Sequence, residues 1–307
     1  MRHQPITNGG ARLDVHMSWW GMNHLRPEGP ELTMEEKFKM IAHAGFDGID
    51  AFVPKPDEAA AWRESLDRHR LALSVNAYPS SADDLRRELE LAAGFGGIRA
   101  VNVQVMTPFL TGEAAIRLLE DIAALAGEYG LSVNVETHRG TITQDLIRTA
   151  DYVQYIPELR LTADFSHYVL AGEMPRIPDE AENLFRQLLS RADCLHGRVS
   201  NGEQIQVGCF ADEEHPMLAH YGRWWELAMR GWLERYANGV VNGDSDGGAL
   251  LFIPELGPPP YAITTEVPGS RGVELNDRWQ QSLALAAYAR RLWDGVLLSE
   301  HNGAENE

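Results

Sequence analysis

The fold is decided by residues 100–136, which read AVNVQVMTPFLTGEAAIRLLEDIAALAGEYGLSVNVE. Two short runs that alternate Val with polar residues flank one long amphipathic run, and Gly130 stands where the long run ends. Short β-branched runs are typical of strands, and apolar residues at helical spacing before a glycine are typical of a helix. The stretch therefore predicts a strand over 100–105, a helix over 113–129 and a strand over 131–136.

The same alternation extends along the chain in both directions. Further strands are predicted over 13–17, 48–53, 71–77, 159–164, 194–199 and 250–255. Further helices are predicted over 33–44, where Thr33 and Glu36 form a capping box, and over 57–69, 82–93, 143–153, 179–191, 220–236 and 277–298. Eight strands, each followed by a helix, predict an α/β fold, a single (β/α)8 TIM barrel over 1–299 with a flexible C-terminal tail over 300–307. A doubly wound sheet is the alternative, but no G-x-G-x-x-G follows the first strand.

Composition limits the partners that this chain can bind. It carries 27 Lys and Arg against 45 Asp and Glu, a net charge of −18 over 307 residues. Nucleic acids and anionic membranes are bound mainly through Lys and Arg, so neither is expected as a partner. The sequence has no apolar run of about 18 residues, and residues 1–10 lack the apolar segment of a secretory signal. We therefore expect a cytoplasmic protein that acts on a small molecule.

Acidic and imidazole side chains gather at the predicted carboxyl ends of the last four strands. They are Glu136, Asp164, His196 and Glu255. In a (β/α)8 barrel these strand ends face one mouth, where the chemistry takes place. A single residue such as Asp164 would equally suit a helix cap, but three carboxylates at one mouth repel each other unless a cation binds them. One divalent metal ion is therefore predicted, with Mn²⁺ favoured and Mg²⁺, Co²⁺ or Zn²⁺ as alternatives.

At these residues the chain resembles the xylose isomerase-like TIM-barrel superfamily, which includes sugar phosphate isomerases/epimerases and endonuclease IV. The resemblance spans roughly residues 14–294 and is carried by Asp164-x-x-His167 and by the order Glu-Asp-His-Glu of the four strand-end residues. Residues 44–50, AGFDGID, look like the second strand of the family. That strand usually ends in Glu, where this chain has Asp50.

The resemblance implies a reaction and a role for each of these residues. The four strand-end residues would be the metal ligands, and His167 and Arg198 would bind substrate oxygen atoms near the metal. Glu136 and Glu255 would also carry protons at opposite faces of a sugar. The implied reaction is a divalent-metal-dependent isomerisation or epimerisation, in which a proton is removed next to a carbonyl and the metal stabilises the enediolate.

Other side chains near the strand ends are candidate substrate contacts. They are His16, Trp19, Asn76 and Gln104, because amides bind hydroxyl groups and aromatic rings pack against the apolar face of a sugar. His138, two residues past Glu136, is a candidate general base or a loop residue that caps the next helix. With His138 as base, the alternative reaction is elimination from a 3-keto sugar, as the resemblance to C-glycoside deglycosidases in this superfamily implies.

Two further functions stay open at this point. An endonuclease IV-like repair enzyme would hold three metals, but no clear Asp-x-His motif follows His196 and the chain is acidic. A non-catalytic barrel subunit is the other, although clustered carboxylates are costly to keep together without a purpose. The resemblance also makes a homo-oligomer a candidate assembly. Trp224, Trp225 and Trp232 lie at helical spacing and suit either the core or a subunit interface.

Overall fold

Parallel strands close into a barrel in which each strand pairs with the next along the chain and the last pairs with the first. The computed structural model of the protein describes residues 10–26, 29–210, 214–241, 248–265 and 272–304, with side chains up to 299. The strands are β1 (Arg12–Ser18), β2 (Gly48–Ala51), β3 (Ala72–Ala77), β4 (Ile98–Val103), β5 (Val133–Glu136), β6 (Leu161–Ala163), β7 (Ala192–His196) and β8 (Ala249–Ile253). The predicted single (β/α)8 TIM barrel is confirmed.

Helices follow the strands and surround the barrel. They are α1 (Met34–Ala44), α2 (Ala59–His69), α3 (Ala82–Phe95), α4 (Gly112–Tyr129), α5 (Leu146–Tyr155), α6 (Ser166–Ala171), α7 (Asp179–Leu189), α8 (Leu218–Ala237) and α9 (Arg278–Ala304). Helix α9 continues past residue 299, where the predicted tail begins, and residues 305–307 lie outside the described residues. In the described parts of the chain, no helix has the length and apolar character needed to cross a membrane.

A row of polar side chains runs across neighbouring strands. Asn76 on β3 pairs in register with Asn102 on β4, and Asn102 pairs with Asn134 on β5. Residues paired in register on a parallel sheet point to the same face. Because Asn76 lines the cavity inside the mouth of the barrel, this row faces the barrel interior. The interior is therefore polar near the carboxyl ends of the strands, where the predicted site lies.

The tryptophans of α8 belong to the core of the single chain. Trp224, Trp225 and Trp232 are each at most 3% exposed. The Trp225 ring meets Phe252 of β8 edge-on, with ring centroids 5.2 Å apart, and Trp232 packs against Trp293 of α9. These contacts fix α8 between the barrel and α9. The three tryptophans were predicted to lie either in the core or at a subunit interface, and the structure places them in the core.

The capping box predicted at the start of α1 is present. The Thr33 hydroxyl accepts a hydrogen bond from the Glu36 backbone N–H, and the Glu36 carboxylate accepts one from the Thr33 backbone N–H at 2.8 Å. We expect Thr33→Ala to lower the free energy of unfolding by about 1 kcal/mol, because the cap residue satisfies a free N–H of the first turn. Urea denaturation measures the loss.

The matched control for this prediction is Thr111→Ala. Thr111 occupies the same N-cap position before α4, but its side chain makes no capping hydrogen bond. Its replacement should therefore change the free energy of unfolding by less than half as much as Thr33→Ala. Equal losses in the two variants would show that the Thr33 cap does not stabilise α1.

Candidate metal centre

The four strand-end residues meet at one point inside the barrel mouth. Glu136 and His196 are the last residues of β5 and β7, and Asp164 and Glu255 follow β6 and β8 directly or nearly so. One ligand atom from each lies within 4.8 Å of those of the other three. The His196 Nδ1 atom is 3.6 Å from Glu136 Oε1, 3.6 Å from Asp164 Oδ2 and 3.1 Å from Glu255 Oε2. The structure brings the predicted quartet together.

The quartet has the spacing and the free atoms that a divalent cation requires. Ligands that sit about 2.1 Å from one ion are themselves about 3.0–3.4 Å apart, close to the separations around His196 Nδ1. Glu136 Oε1 and both ring nitrogens of His196 are buried and have no hydrogen-bond partner. Buried polar atoms are rarely left unpaired. These residues therefore fit a metal ion, with carboxylate oxygens and one imidazole as its donors.

Charge within the quartet is strongly coupled. Burial alone would raise the pKa of Glu136, but the neighbouring His196 lowers that pKa to about 2. Burial alone would lower the pKa of His196, but the carboxylates of Glu255 and Glu136 raise that pKa well above its ordinary value. The pKa of Asp164 is held well below its usual range, because Arg198 and His167 outweigh the effect of burial. The carboxylates of Glu136 and Asp164 therefore stay ionised in the barrel interior.

Arg198 is a buried cation that joins two members of the quartet. Its Nη2 atom donates to Asp164 Oδ2 and, at 2.6 Å, to Glu255 Oε2. Its Nε atom donates to the Ser166 hydroxyl at 3.1 Å, and Ser166 in turn donates to Asp164 Oδ1. The Nη1 atom is buried without a partner, and Arg198 lines the cavity. This arrangement leaves a guanidinium N–H free to bind a substrate oxygen.

His138 and His167 lie beside the quartet, with their ring centroids 3.8 Å apart. His138 Nδ1 contacts the carbonyl oxygen of Arg139, which only accepts hydrogen bonds, so Nδ1 carries the proton and Nε2 has the lone pair. His138 lines the cavity, and its Nε2 atom is 3.5 Å from the Tyr261 hydroxyl. The geometry fits the predicted general base.

His167 has a different position and partner. Its Nε2 atom lies 3.3 Å from Arg198 Nη2, which only donates, so Nε2 accepts and the imidazole is neutral. Burial lowers the pKa of His167 well below its ordinary value, in agreement with that state. His167 is fully buried and lies outside the cavity wall. Its ligand atoms also lie within 4.8 Å of those of Glu136 and His138, but the contact with Arg198 already uses its Nε2 lone pair.

A cavity of about 350 Å³ opens above the quartet at the carboxyl ends of the strands. Six of the predicted site residues lie in its wall: Trp19, Asn76, Gln104, His138, Arg198 and Glu255. Trp19 also packs on Trp62 and Phe38, with centroids 4.8 and 5.6 Å away. The cavity is large enough for a small polar molecule and has aromatic and amide groups in its wall, which suits a sugar.

His16 is the predicted substrate contact that the structure places elsewhere. It is fully buried, and its Nδ1 atom is 3.0 Å from the Ser74 hydroxyl. Its Nε2 atom packs over Gly48, where an added Cβ would approach it to 2.4 Å. His16 is absent from the cavity wall, because its ring lies across Gly48 of β2 and reaches Ser74 of β3.

Several residues of the site were missed in the sequence. Asn102 was not predicted, and it donates to Glu136 Oε2 at 2.6 Å, beside the predicted Gln104, which donates to the same atom at 2.8 Å. The Tyr261 ring lies in the cavity wall, with its centroid 4.9 Å from the Arg198 guanidinium. Asp50 lies in the same wall and is the penultimate residue of β2, so its place near a strand end was the signal that could have identified it. Tyr261 lies in a loop and had no such signal.

Comparison with known proteins agrees with this architecture. A family model described as "Xylose isomerase-like TIM barrel" matches residues 38–196, slightly more than half of the 307 residues. No curated protein matches the chain. The solved structure of a xylose isomerase-like TIM barrel protein from Mycobacterium smegmatis in complex with magnesium aligns with a TM-score of 0.56 and 14% identity, over 93% of this chain and 98% of that one.

Two other solved structures align less closely. The probable 3-DHS dehydratase AsbF from Bacillus anthracis has a TM-score of 0.49 and 14% identity, over 67% of this chain and 82% of its own. An AP endonuclease of family 2 from Brucella melitensis has a TM-score of 0.49 and 15% identity, over 70% and 89%.

Proposed function

The chain belongs to the xylose isomerase-like TIM barrel family, and we propose that it is a divalent-metal-dependent sugar isomerase or epimerase. The observation that carries this proposal is the buried quartet of Glu136, Asp164, His196 and Glu255 beneath a polar cavity. A bound divalent cation would stabilise the negative charge that develops on the substrate oxygens when a proton leaves the neighbouring carbon. The donor set favours Mn²⁺, and Mg²⁺ is the first alternative because the Mycobacterium structure holds magnesium.

The side chains in the cavity wall supply the remaining functions. Glu255 is in position to take the proton from the carbon next to the carbonyl. The free Nη1 of Arg198 donates a hydrogen bond to the oxygen on which charge develops. Return of the proton by Glu255 to the adjacent carbon gives isomerisation, whereas delivery by a second group to the opposite face gives epimerisation.

Glu136 fits metal binding better than proton transfer. It is fully buried below the cavity wall, and Asn102 and Gln104 hold its Oε2 atom. A base must come within hydrogen-bond reach of the proton that it removes. We therefore assign Glu136 to the metal, and a second proton carrier has to come from the wall itself.

Elimination is the second candidate reaction, and the His138 tautomer favours it. The Nε2 lone pair belongs to a wall residue, so His138 can remove a proton beside a ketone. Loss of a substituent from the next carbon would then complete the elimination. The substrate would be a 3-keto sugar, and the product would be unsaturated instead of an isomerised or epimerised sugar.

Elemental analysis combined with isotope exchange tests the proposed function. We expect about one Mn²⁺ per chain after dialysis against Mn²⁺, because the quartet supplies four ligand atoms and the other candidate group among the described residues shares Glu136 with it. With D-fructose in D₂O, deuterium should enter the carbon next to the carbonyl, and either an aldose should form by isomerisation or the epimeric ketose by epimerisation. An unsaturated product from a 3-keto sugar would establish the elimination instead. Three bound zinc ions would favour the endonuclease, and a chain that binds no metal under any condition would refute the proposal.

A further inference from the structure

We propose that Asp50 is a further catalytic residue of this site, a carboxyl group that transfers a proton to the substrate opposite the proton removed by Glu255. This inference rests on the proposed function, because it needs a substrate in the same cavity. Asp50 is the penultimate residue of the second strand of the barrel, whereas the proposed metal ligands come from the fifth to the eighth. The two proton carriers therefore approach the cavity from separate strands.

Asp50 combines burial with access to the cavity. Its side chain is only 2% exposed, yet the residue forms part of the cavity wall together with Glu255 and His138. Its hydrogen bonds go to Ser74 and Asn76, and neither of these residues belongs to the metal ligands. Asp50 therefore borders the space that a bound substrate would occupy.

The hydrogen bonds around Asp50 suit the ionised carboxylate. The Ser74 hydroxyl donates to Oδ1 at 2.9 Å, and the Asn76 amide donates to Oδ2 at 2.6 Å. Each carboxylate oxygen thus receives one hydrogen bond in the barrel interior. Such donors reduce the cost of holding a negative charge away from water.

The same groups also suit the protonated carboxyl. A proton on Oδ1 can be donated to Ser74 Oγ, and the Ser74 hydroxyl then turns to the carbonyl oxygen of Ile49, 3.4 Å away. His16 Nδ1 lies 3.0 Å from the same Ser74 oxygen and can donate to it in either state. Gain or loss of the proton therefore leaves both carboxyl oxygens of Asp50 and the Ser74 hydroxyl with a hydrogen-bond partner, which a reversible proton carrier requires.

The charges around Asp50 allow both the protonated and the ionised carboxyl near neutral pH. Burial raises the pKa of Asp50 to about 7, the Glu255 carboxylate acts in the same direction, and His196 and the Asn76 hydrogen bond oppose it. The titratable groups near Asp50 on the neighbouring elements are Tyr78, Cys194, His196 and Glu255, and His16, which contacts the same Ser74 hydroxyl. His16 adds no charge near neutrality, because burial lowers its pKa to about 4.

A chain of side-chain amides fixes Asp50 relative to the metal ligands. Asn76 donates to Asp50, Asn102 donates to Asn76 Oδ1 at 2.8 Å, and Asn102 also donates to Glu136 Oε2 at 2.6 Å. Amide groups have no titratable proton at neutral pH. The chain therefore positions the two carboxyl groups and keeps their protons separate.

The proton balance of the step is simple. Glu255 takes a proton from the carbon next to the carbonyl, and the electron pair of the C–H bond moves into the enediolate. Protonated Asp50 gives its proton to the opposite face of that carbon, the carbonyl re-forms, and Asp50 is left as a carboxylate. Exchange of both protons with solvent, or the reverse reaction, restores the starting states.

Asp50→Asn is the decisive variant, because asparagine reproduces the protonated state. Its amide N–H can donate to Ser74, and its carbonyl oxygen can accept from Asn76, so the fold and the metal content should be retained. With the Mn²⁺-loaded protein and D-fructose in D₂O, we expect kcat for the epimer to fall by at least about 100-fold. Deuterium should still enter unreacted fructose through Glu255.

Infrared spectroscopy gives a readout that needs no substrate. The wild-type protein should show the carbonyl band of a buried carboxylic acid that disappears as the pH is raised, and Asp50→Asn should lack that band. Ser74→Ala should keep the band but move its midpoint upwards, because the hydroxyl that lowers the pKa of Asp50 is gone. Asp47→Asn is the matched control, since Asp47 precedes β2 and pairs with Arg290 outside the cavity.

The outcomes separate this inference from the proposed function. A missing band in the wild type, a change in kcat of less than about threefold in Asp50→Asn, or a loss of bound metal in that variant would each overturn the role of Asp50. A wild-type protein that binds Mn²⁺ but exchanges no ketose proton would overturn the proposed function and, with it, this inference.

Discussion

Glu136→Gln is expected to lower the affinity for Mn²⁺ by more than about 100-fold. Mutation of a residue that only hydrogen-bonds to a metal ligand already lowers metal affinity by about 10–100-fold, and Glu136 is itself a proposed ligand. Both hydrogen bonds that orient Glu136 end on Oε2, from Asn102 and Gln104. The carbonyl oxygen of a glutamine can accept both bonds. Its amide nitrogen then takes the place of Oε1, the atom without a partner, and offers the metal no lone pair. The variant removes one metal ligand and keeps the local structure.

Isothermal titration with MnCl₂, together with elemental analysis after dialysis, measures this loss. Glu113→Gln is the matched control, because Glu113 lies in the first turn of α4 and its side chain is 89% exposed. The control should bind Mn²⁺ as the wild type does. An affinity within threefold of the wild type in Glu136→Gln would show that Glu136 is not a ligand.

Arg198→Met is expected to destabilise the metal-free protein by about 3–5 kcal/mol, the usual cost when one partner of a buried ion pair is removed. Arg198 is 1% exposed and donates to both Asp164 and Glu255. Methionine fills a similar volume but leaves these two carboxylates without their cation. Urea denaturation of the protein dialysed against a chelator measures the change in free energy of unfolding.

Bound Mn²⁺ should restore part of this loss. A divalent cation replaces the missing positive charge beside the carboxylates, so the metal should stabilise Arg198→Met more than it stabilises the wild type. Arg117→Met is the matched control, because the Arg117 side chain is 66% exposed and pairs with Glu113 on the surface. Exposed pairs contribute about 0–1 kcal/mol. Equal losses in the free energy of unfolding for the two arginine variants would show that Arg198 does not stabilise the buried carboxylates of Asp164 and Glu255.

The barrel could be predicted because its signals are local. Strands and helices differ in hydrophobic period, and each can be identified from a short window, such as residues 100–136. The predicted strand over 100–105 is shifted by two residues towards the C-terminus relative to the observed β4 (Ile98–Val103), because the pattern does not mark where pairing starts. The short helix α6 (Ser166–Ala171) follows β6 directly and is too short for a periodic pattern. Element type was therefore easier to predict than element boundaries.

The quartet could be predicted because a closed barrel aligns its strand ends. Once β5 to β8 are neighbours, Glu136, Asp164, His196 and Glu255 have to meet at one mouth. The prediction needed only the order of the strands and the residues at their ends. No knowledge of side-chain conformation entered it.

The sequence alone determined the (β/α)8 barrel, the capping box of α1 and the composition of the quartet, because each depends on periodicity or on neighbours along the chain. Only the tertiary structure decided how Arg198 reaches Asp164 and Glu255, 34 and 57 residues away. It also turned His16 away from the cavity and placed Asp50 in the cavity wall between Ser74 and Asn76. Burial and hydrogen bonding set the charge of such groups, and both depend on residues that the fold brings together from distant parts of the chain.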